Sequence, residues 1–133
     1  MSLMVGTAGE HFVCFDCYFQ GYAATIVNGQ LRYDVIISDK INTYKVQVKT
    51  STTTTTNGKS FQYVLKYTKN MELKGGYNKK DVDFFAFVNP TLRKVAYIPF
   101  DKIKNNWKVT IQDYEYEKFT LTKVLEHLGS YQR

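Results

Sequence analysis

From residue 6 to residue 20 apolar side chains recur at helical spacing. Ala8, Phe12, Phe15 and Phe19 form one stripe, and Val13, Cys14 and Cys17 form a second on nearly the opposite side. The pattern predicts a helix buried on two sides. Glu10 stands at the i, i+3, i+4, i+7 spacing with Val13, Cys14 and Cys17, so its carboxylate points where apolar side chains point. Gly21 sits where a C-terminal cap belongs. Residues 22–27, 31–38 and 43–50 then read as three strands, and Asn28-Gly29 is a strong hairpin signal between the first two. A threonine tract over 51–56, followed by Asn57-Gly58, predicts a loop or hairpin tip. Residues 61–68 set Phe61, Tyr63, Leu65 and Tyr67 against Gln62, Lys66 and Thr68, the alternation of a half-exposed strand. Gly75-Gly76 breaks the chain again. Residues 83–89 and 94–98 form a strand pair around a turn at 90–93, the first nearly all apolar and therefore central. Leu121, Val124, Leu125 and Leu128 make a one-sided helix that Gly129 is expected to stop.

Strand alternation places Arg32, Asp34 and Ile36 on one face of the second strand and Lys45, Gln47 and Lys49 on one face of the third. Tyr44, Val46, Val48 and Thr50 form an ordinary core stripe on the other side. With a turn symmetric about Lys40 and Ile41, residues whose numbers sum to 81 lie opposite each other. Asp34 then faces Gln47, and Arg32 faces Lys49. A carboxylate, an amide and two cations meet on one patch, against which the Glu10 face of the first helix is expected to pack.

With 133 residues, 44% hydrophobic and 16% aromatic, the chain fits one folded, sheet-rich domain over residues 1–133, without internal repeat or boundary. Eighteen Lys and Arg against twelve Asp and Glu give a charge of +6, which favours a polyanionic partner without identifying it. No apolar run approaches the roughly 18 residues of a membrane span, and the N-terminus lacks the order of a signal peptide. The expected setting is soluble and cytoplasmic. Cys14 and Cys17 form an isolated C-x-x-C with only His11 and His127 as further candidate ligands, and two buried thiols are the plainer reading.

Hydrolysing a phosphodiester requires neutralising charge on the phosphoryl oxygens and generating hydroxide near neutral pH. A hard divalent ion held by oxygens does both. Asp34 and Glu10 offer anionic oxygens, the Gln47 side chain and the Val48 backbone offer neutral carbonyls, and Lys49 could position or deprotonate the attacking water. Each residue also has a plainer reading. Asp34 alone could be a hairpin residue, Gln47-x-Lys49 a solvated strand face, and Glu10 a carboxylate favoured by the helix macrodipole.

The run Gly6-Thr7-Ala8-Gly9-Glu10 on a helix, then Tyr33-Asp34, then Gln47-Val48-Lys49-Thr50-Ser51, resembles the PD-(D/E)XK nuclease superfamily. It is most similar to the Q-x-K branch, which includes a group I intron homing endonuclease, and more distantly to archaeal Holliday-junction resolvases. Tyr77 with Asp81 and Asp83 fits more loosely. Tyr33 stands where the motif has Pro, and Gln47 where it has Asp or Glu. The resemblance implies an α/β (α+β) fold with a restriction-endonuclease-like αβββ core, its mixed central sheet flanked by helices. It implies a Mg²⁺-dependent DNA endonuclease, with Mn²⁺ able to substitute. Asp34, Gln47, Lys49 and Glu10 would be catalytic, and Asp34, Gln47, Val48 and Glu10 would hold the metal. Thr50, Ser51, Lys59, Lys66, Lys69, Lys79 and Lys80 are the candidate DNA contacts, while Phe61, Tyr63 and Tyr67 suit the core better than base stacking. No helix looks like a major-groove reader. So small a domain would cut both strands only as a symmetric oligomer, a homodimer or homotetramer. The rival readings are a structure-selective resolvase and a non-catalytic nucleic-acid-binding module.

Overall fold

The computed structural model describes residues 3–27, 31–55, 57–65, 80–103 and 108–132. Helix α1 (Leu3–Phe19) leads into the strands β1 (Ala23–Ile26), β2 (Val35–Ser38) and β3 (Thr43–Thr50). Strands β4 (Ser60–Val64), β5 (Phe84–Asn89), β6 (Lys94–Pro99) and β7 (Lys108–Gln112) follow, and helix α2 (Leu121–Gln132) closes the order. Gly21 ends α1 at φ 95°, a conformation that favours glycine. The Tyr22 N–H then reaches back to the Cys17 carbonyl at 2.9 Å.

The main sheet runs β1-β2-β3-β5-β6. It is mixed, because β3 and β5 are parallel while every other neighbouring pair is antiparallel. The β2–β3 register pairs Val35 with Val46 and Ser38 with Thr43, the sum-to-81 register expected from the sequence. Asp39 locks the turn, its Oδ1 accepting the N–H groups of Ile41 at 2.7 Å and Asn42 at 2.6 Å.

Both faces of the central strands are covered. Val46, Val48, Phe84, Ala86 and Val88 pack with Val13 and Cys17 of α1 and Leu121, Val124 and Leu125 of α2. Phe85, Phe87, Ala96 and Ile98 pack on the other side with Phe61, Tyr63 and Ile111 of a second, two-stranded β4–β7 sheet. Strand β5 is buried at every position and lies between β3 and β6, as its apolar run predicts.

Four expectations need correction. Helix α1 is covered on one side only, with Phe15 67% and Phe19 81% exposed, because no further layer among the described residues lies over its outer stripe. Helix α2 runs through Gly129, since a helical glycine lowers propensity by only ~1 kcal/mol and need not end a helix. Strand β2 begins at Val35 rather than residue 31. Strand β7, with Val109 and Ile111 alternating inward, was not anticipated. Asn28-Gly29, Gly75-Gly76 and the tail of the predicted 61–68 strand lie outside the described residues.

Candidate active site

The late start of β2 creates the site. Asp34 makes the last backbone bond to β3, its N–H donating to the Val46 carbonyl at 2.8 Å. In an antiparallel pair one residue's N–H and C=O face the same edge, so those of Val48 face the space that β2 leaves open. The Asp34 side chain fills that space. Its Oδ2 accepts the Val48 N–H at 3.0 Å and the Gln47 Nε2–H at 2.7 Å. Among the described residues the Val48 carbonyl meets the Gln47 amide alone, at a long 3.4 Å. Gln47 is 8% exposed and gives its donor to these two acceptors, which leaves Oε1 without a donor among the described residues.

The charges around this notch disturb one another. Burial raises the Asp34 pKa, against the Val48 N–H and the Lys49 cation, which lower it. Burial also raises Glu10, and the Asp34 carboxylate adds to the rise while His11 opposes it. Lys49 is displaced downward by burial and by Arg32, with Asp34 pulling the other way. Two desolvated carboxylates therefore feel each other beside an ammonium that releases its proton more easily than usual. Glu10 accepts no hydrogen bond within the described residues.

Glu10 does not reach this notch by lying over the Gln47 face, as the sequence suggested. Helix α1 covers the opposite face, where burying Val46 and Val48 removes the most apolar surface from water. Glu10 comes into the field of Asp34 from the helix side of the sheet. Its position depends on Gly9, whose Cα lies so close to Thr50 that an added Cβ would overlap Oγ1 and stand 3.0 Å from Thr50 Cβ. Sequence reading passed over Gly9 as part of a motif. A glycine inside a helical pattern, across from a threonine on a core stripe, was the available signal.

The same packing corrects two proposed DNA contacts. Thr50 Oγ1 is buried against α1 without a hydrogen-bond partner among the described residues. Ser51 is 4% exposed, its hydroxyl accepting the Thr53 N–H at 3.0 Å, so neither side chain is open to a phosphate. Lys59 and Lys80 are exposed, whereas Lys66, Lys69, Lys79 and Tyr77 lie outside the described residues. Asp83 serves the sheet, Oδ2 accepting the Lys45 N–H at 2.7 Å.

A family model of the PD-(D/E)XK endonuclease matches residues 4–126, nearly the whole chain. The chain belongs to the PD-(D/E)XK endonuclease family. Among solved structures it is similar to the bacterial homing endonuclease I-Ssp6803I, with a TM-score of 0.77 and 16% identity over 98% of this chain and 97% of that one. It is also similar to Hjc, a Holliday junction resolvase from the archaeal hyperthermophile Archaeoglobus fulgidus, with a TM-score of 0.56 and 16% identity over 90% and 93%. These likenesses establish the restriction-endonuclease-like fold. No curated protein matches the chain. No described helix is long and apolar enough to cross a membrane.

PD-(D/E)XK enzymes typically use a divalent metal, and the notch can be tested for one. Among the described residues no three His, Cys, Asp or Glu side chains converge, so a site built on nitrogen and sulfur ligands is not present there. The donors at hand are oxygens: two carboxylates, an amide and a backbone carbonyl with only one long contact. This set fits a hard cation such as Mg²⁺ or Mn²⁺, and a cation there would relieve the mutual repulsion of Asp34 and Glu10. Cys17 is buried and Cys14 half-buried on the core side of α1, both as free thiols.

Proposed function

We propose that this chain is a Mg²⁺-dependent DNA endonuclease, with Mn²⁺ able to substitute, that hydrolyses phosphodiester bonds at the Asp34 notch. One observation carries the reading: the Asp34 carboxylate, bound to Val48 and Gln47 at the overhang of β3, lies in the fields of both Glu10 and Lys49. Asp34, Glu10, the Gln47 side-chain oxygen and the Val48 carbonyl would hold the metal, which would stabilise phosphoryl charge and lower the pKa of water. Gln47 holds Asp34 in place through its amide N–H while keeping Oε1 for the ion. Lys49, its proton loosened by burial, orients the attacking water or, after giving up that proton to solvent, accepts one from it. The exposed Lys59 and Lys80 are proposed as phosphate contacts, which position a duplex without reading its sequence. A symmetric homodimer or homotetramer would bring the two sites needed to cut both strands.

The test offers linear, supercoiled and four-way-junction DNA with Mg²⁺ or Mn²⁺ to the wild type, Lys49→Ala and Asp34→Ala. Cutting by the wild type, with loss of at least ~10²-fold in either variant, is expected. A wild type that binds all three DNAs and leaves them intact refutes the nuclease reading and favours a binding module. Cutting confined to the junction favours the resolvase-like reading suggested by the likeness to Hjc.

A further inference from the structure

The core beneath the β4–β7 sheet is open at one end. Between the outer edge of β6, strand β7 and helix α2 lies a cleft of about 650 Å³, within the roughly 300–1,000 Å³ of small-molecule sites. Ile98, Ile103, Val109, Ile111 and Phe119 of that core line it, and Val124 of α2 joins them. Ile103, Val109 and Phe119 are only half-buried, so part of this apolar lining stays accessible. The Tyr97 N–H holds Phe119 on the outer edge of β6, donating to its carbonyl at 2.8 Å. Pro99, which has no N–H to offer, blunts the same edge against a further strand.

Four exposed lysines surround the lining. Lys102 ends the 3₁₀ turn Phe100–Lys102, Lys108 opens β7, Lys118 ends the 3₁₀ turn Tyr116–Lys118, and Lys123 lies in the first turn of α2. They come from four separate elements, so their convergence is not the solvated face of one helix or strand. Two carboxylates stand near them, and both are engaged. Glu115 Oε1 accepts the Gln112 N–H at 2.8 Å, and both Asp101 oxygens lie 3.0 Å from His127 Nε2. With His127 neutral, four cations against two anions leave a charge of +2 around the cleft.

Size, lining and charge together point to the occupant. A phosphomonoester carries about −1.5 to −2 at neutral pH, which balances the cleft, whereas an acyl carboxylate brings a single charge. The Phe119 ring offers a stacking surface to a planar body, and Thr110 and Glu115 add the few polar groups that orient a ligand in an apolar pocket. A run of DNA would need a cationic track open at both ends. Here β6, β7, α2 and the two turns enclose the space.

We propose that this cleft binds an aromatic phosphomonoester, a free nucleoside monophosphate, with its base against Phe119 and its phosphate among Lys102, Lys108, Lys118 and Lys123. Strands β3 and β5 stand between β2 and β6, which puts roughly 14 Å of sheet between the Asp34 notch and the cleft. The ligand does not touch the notch, and the proposal does not depend on the chemistry proposed there.

Isothermal titration calorimetry with 2′-deoxyadenosine 5′-monophosphate in EDTA tests the proposal, with amide chemical shifts to place the contact. The wild type is expected to bind with a Kd below ~1 mM and to shift the amides of residues 108–111 and 118–124, not those of 34–38 and 45–48. Deoxyadenosine and inorganic phosphate, each carrying half of the recognition, should bind at least ~10-fold more weakly. Lys102→Glu and Lys123→Glu, which reverse a charge at exposed positions, should each weaken binding about tenfold or more, as should Phe119→Ala. Circular dichroism confirms folding, and should Phe119→Ala unfold, the two lysine variants decide. No binding at ~1 mM overturns the proposal, as does an affinity that the folded variants retain. Shifts confined to the notch also overturn it, and so does displacement of the nucleotide by equimolar dodecanoate or single-stranded oligo-dT. Asp34→Ala is expected to bind the nucleotide as the wild type does while losing DNA cutting, so either reading can fail without the other.

Discussion

Among the described residues three glycines lie in helices, and two of them, Gly6 and Gly9 in α1, make opposite demands on a methyl group. At Gly6 nothing lies within 4 Å of an added Cβ. Gly6→Ala should therefore gain most of the helix-propensity difference, about 0.8–1 kcal/mol. At Gly9 the same methyl overlaps Thr50 Oγ1 and stands 3.0 Å from Thr50 Cβ, with Cγ2 at 3.3 Å. Rotating Thr50 can turn its Cβ hydrogen toward the gap but cannot move Cβ itself, which at 3.0 Å still presses the helix outward. Overpacking of this kind costs about 1–3 kcal/mol, which leaves Gly9→Ala between roughly 0 and 2 kcal/mol less stable than wild type after the propensity gain. For a chain of this length that is no gain in Tm and a fall of up to about 10 °C, against a rise of about 3–5 °C for Gly6→Ala. Urea and thermal unfolding followed by circular dichroism measure both. Thr50→Ala should recover part of the Gly9→Ala loss in a double-mutant cycle. Glu10 follows Gly9 in the chain, so Gly9→Ala is also expected to weaken stabilisation by Mg²⁺, and Gly6→Ala is not. Shifts of the same sign and size in the two variants would refute the close approach of α1 to β3.

Gln47→Glu replaces the donor to Asp34 with a second carboxylate, so in EDTA the variant should be destabilised by about 1–3 kcal/mol and should recover when Mg²⁺ is added; a destabilisation unaffected by Mg²⁺ argues against metal binding at the notch. Because burial and Asp34 raise the Glu10 pKa, the folded state holds the Glu10 proton more tightly than the unfolded chain, and the Glu10 charge opposes folding at neutral pH. Glu10→Gln should therefore melt no lower than wild type without metal, lose cleavage, and flatten the gain in stability seen as pH falls through the carboxylate range. On the alkaline side, burial pushes the Cys17 thiol up to about 12, while an unfolded cysteine ionises near ~8.5. Above that lower value the unfolded chain sheds a proton that the folded chain keeps, so stability should fall by up to ~1.4 kcal/mol per pH unit from this group, and urea midpoints for Cys17→Ala should decline less steeply.

The register of β2 and β3 was legible in the sequence because a tight turn and a period of two leave few alternatives. Once Asp39 fixes the turn, Asp34 must lie beside the Gln47-Val48 segment. The apolar run in β5 likewise announced a strand covered on both faces. What escaped was information about which surface covers which. Two apolar stripes on α1 look alike in sequence, and only the assembled sheet reveals that Val13 and Cys17 face inward while Phe15 and Phe19 face out. For Glu10, periodicity gives a helix face but not the side of the sheet on which that face docks. Thr50 and Ser51 stood among the candidate DNA contacts, yet the Thr50 hydroxyl is held against Gly9 and the Ser51 hydroxyl closes a turn. Strand β7 pairs with β4 across a long sequence separation, and short alternating runs such as Val109 and Ile111 give little local signal of such a partner.

The parallel pairing of β3 with β5 has a kinetic consequence. Glu10, Asp34, Gln47 and Lys49 all belong to α1 and the β1–β2–β3 meander, whose contacts are close in sequence and quick to close. The parallel bond ladder, by contrast, waits for the whole chain between Thr50 and Phe84 to loop back, carrying β4 with it. These four side chains are thus expected to gather early on a sheet still open along one edge, and to lose water only when β5 arrives. Pulsed hydrogen exchange would register this as protection of the amides of β2 before those of β5. Until that last strand docks, the same four side chains would be solvated, and the burial that loosens the Lys49 proton would not yet exist.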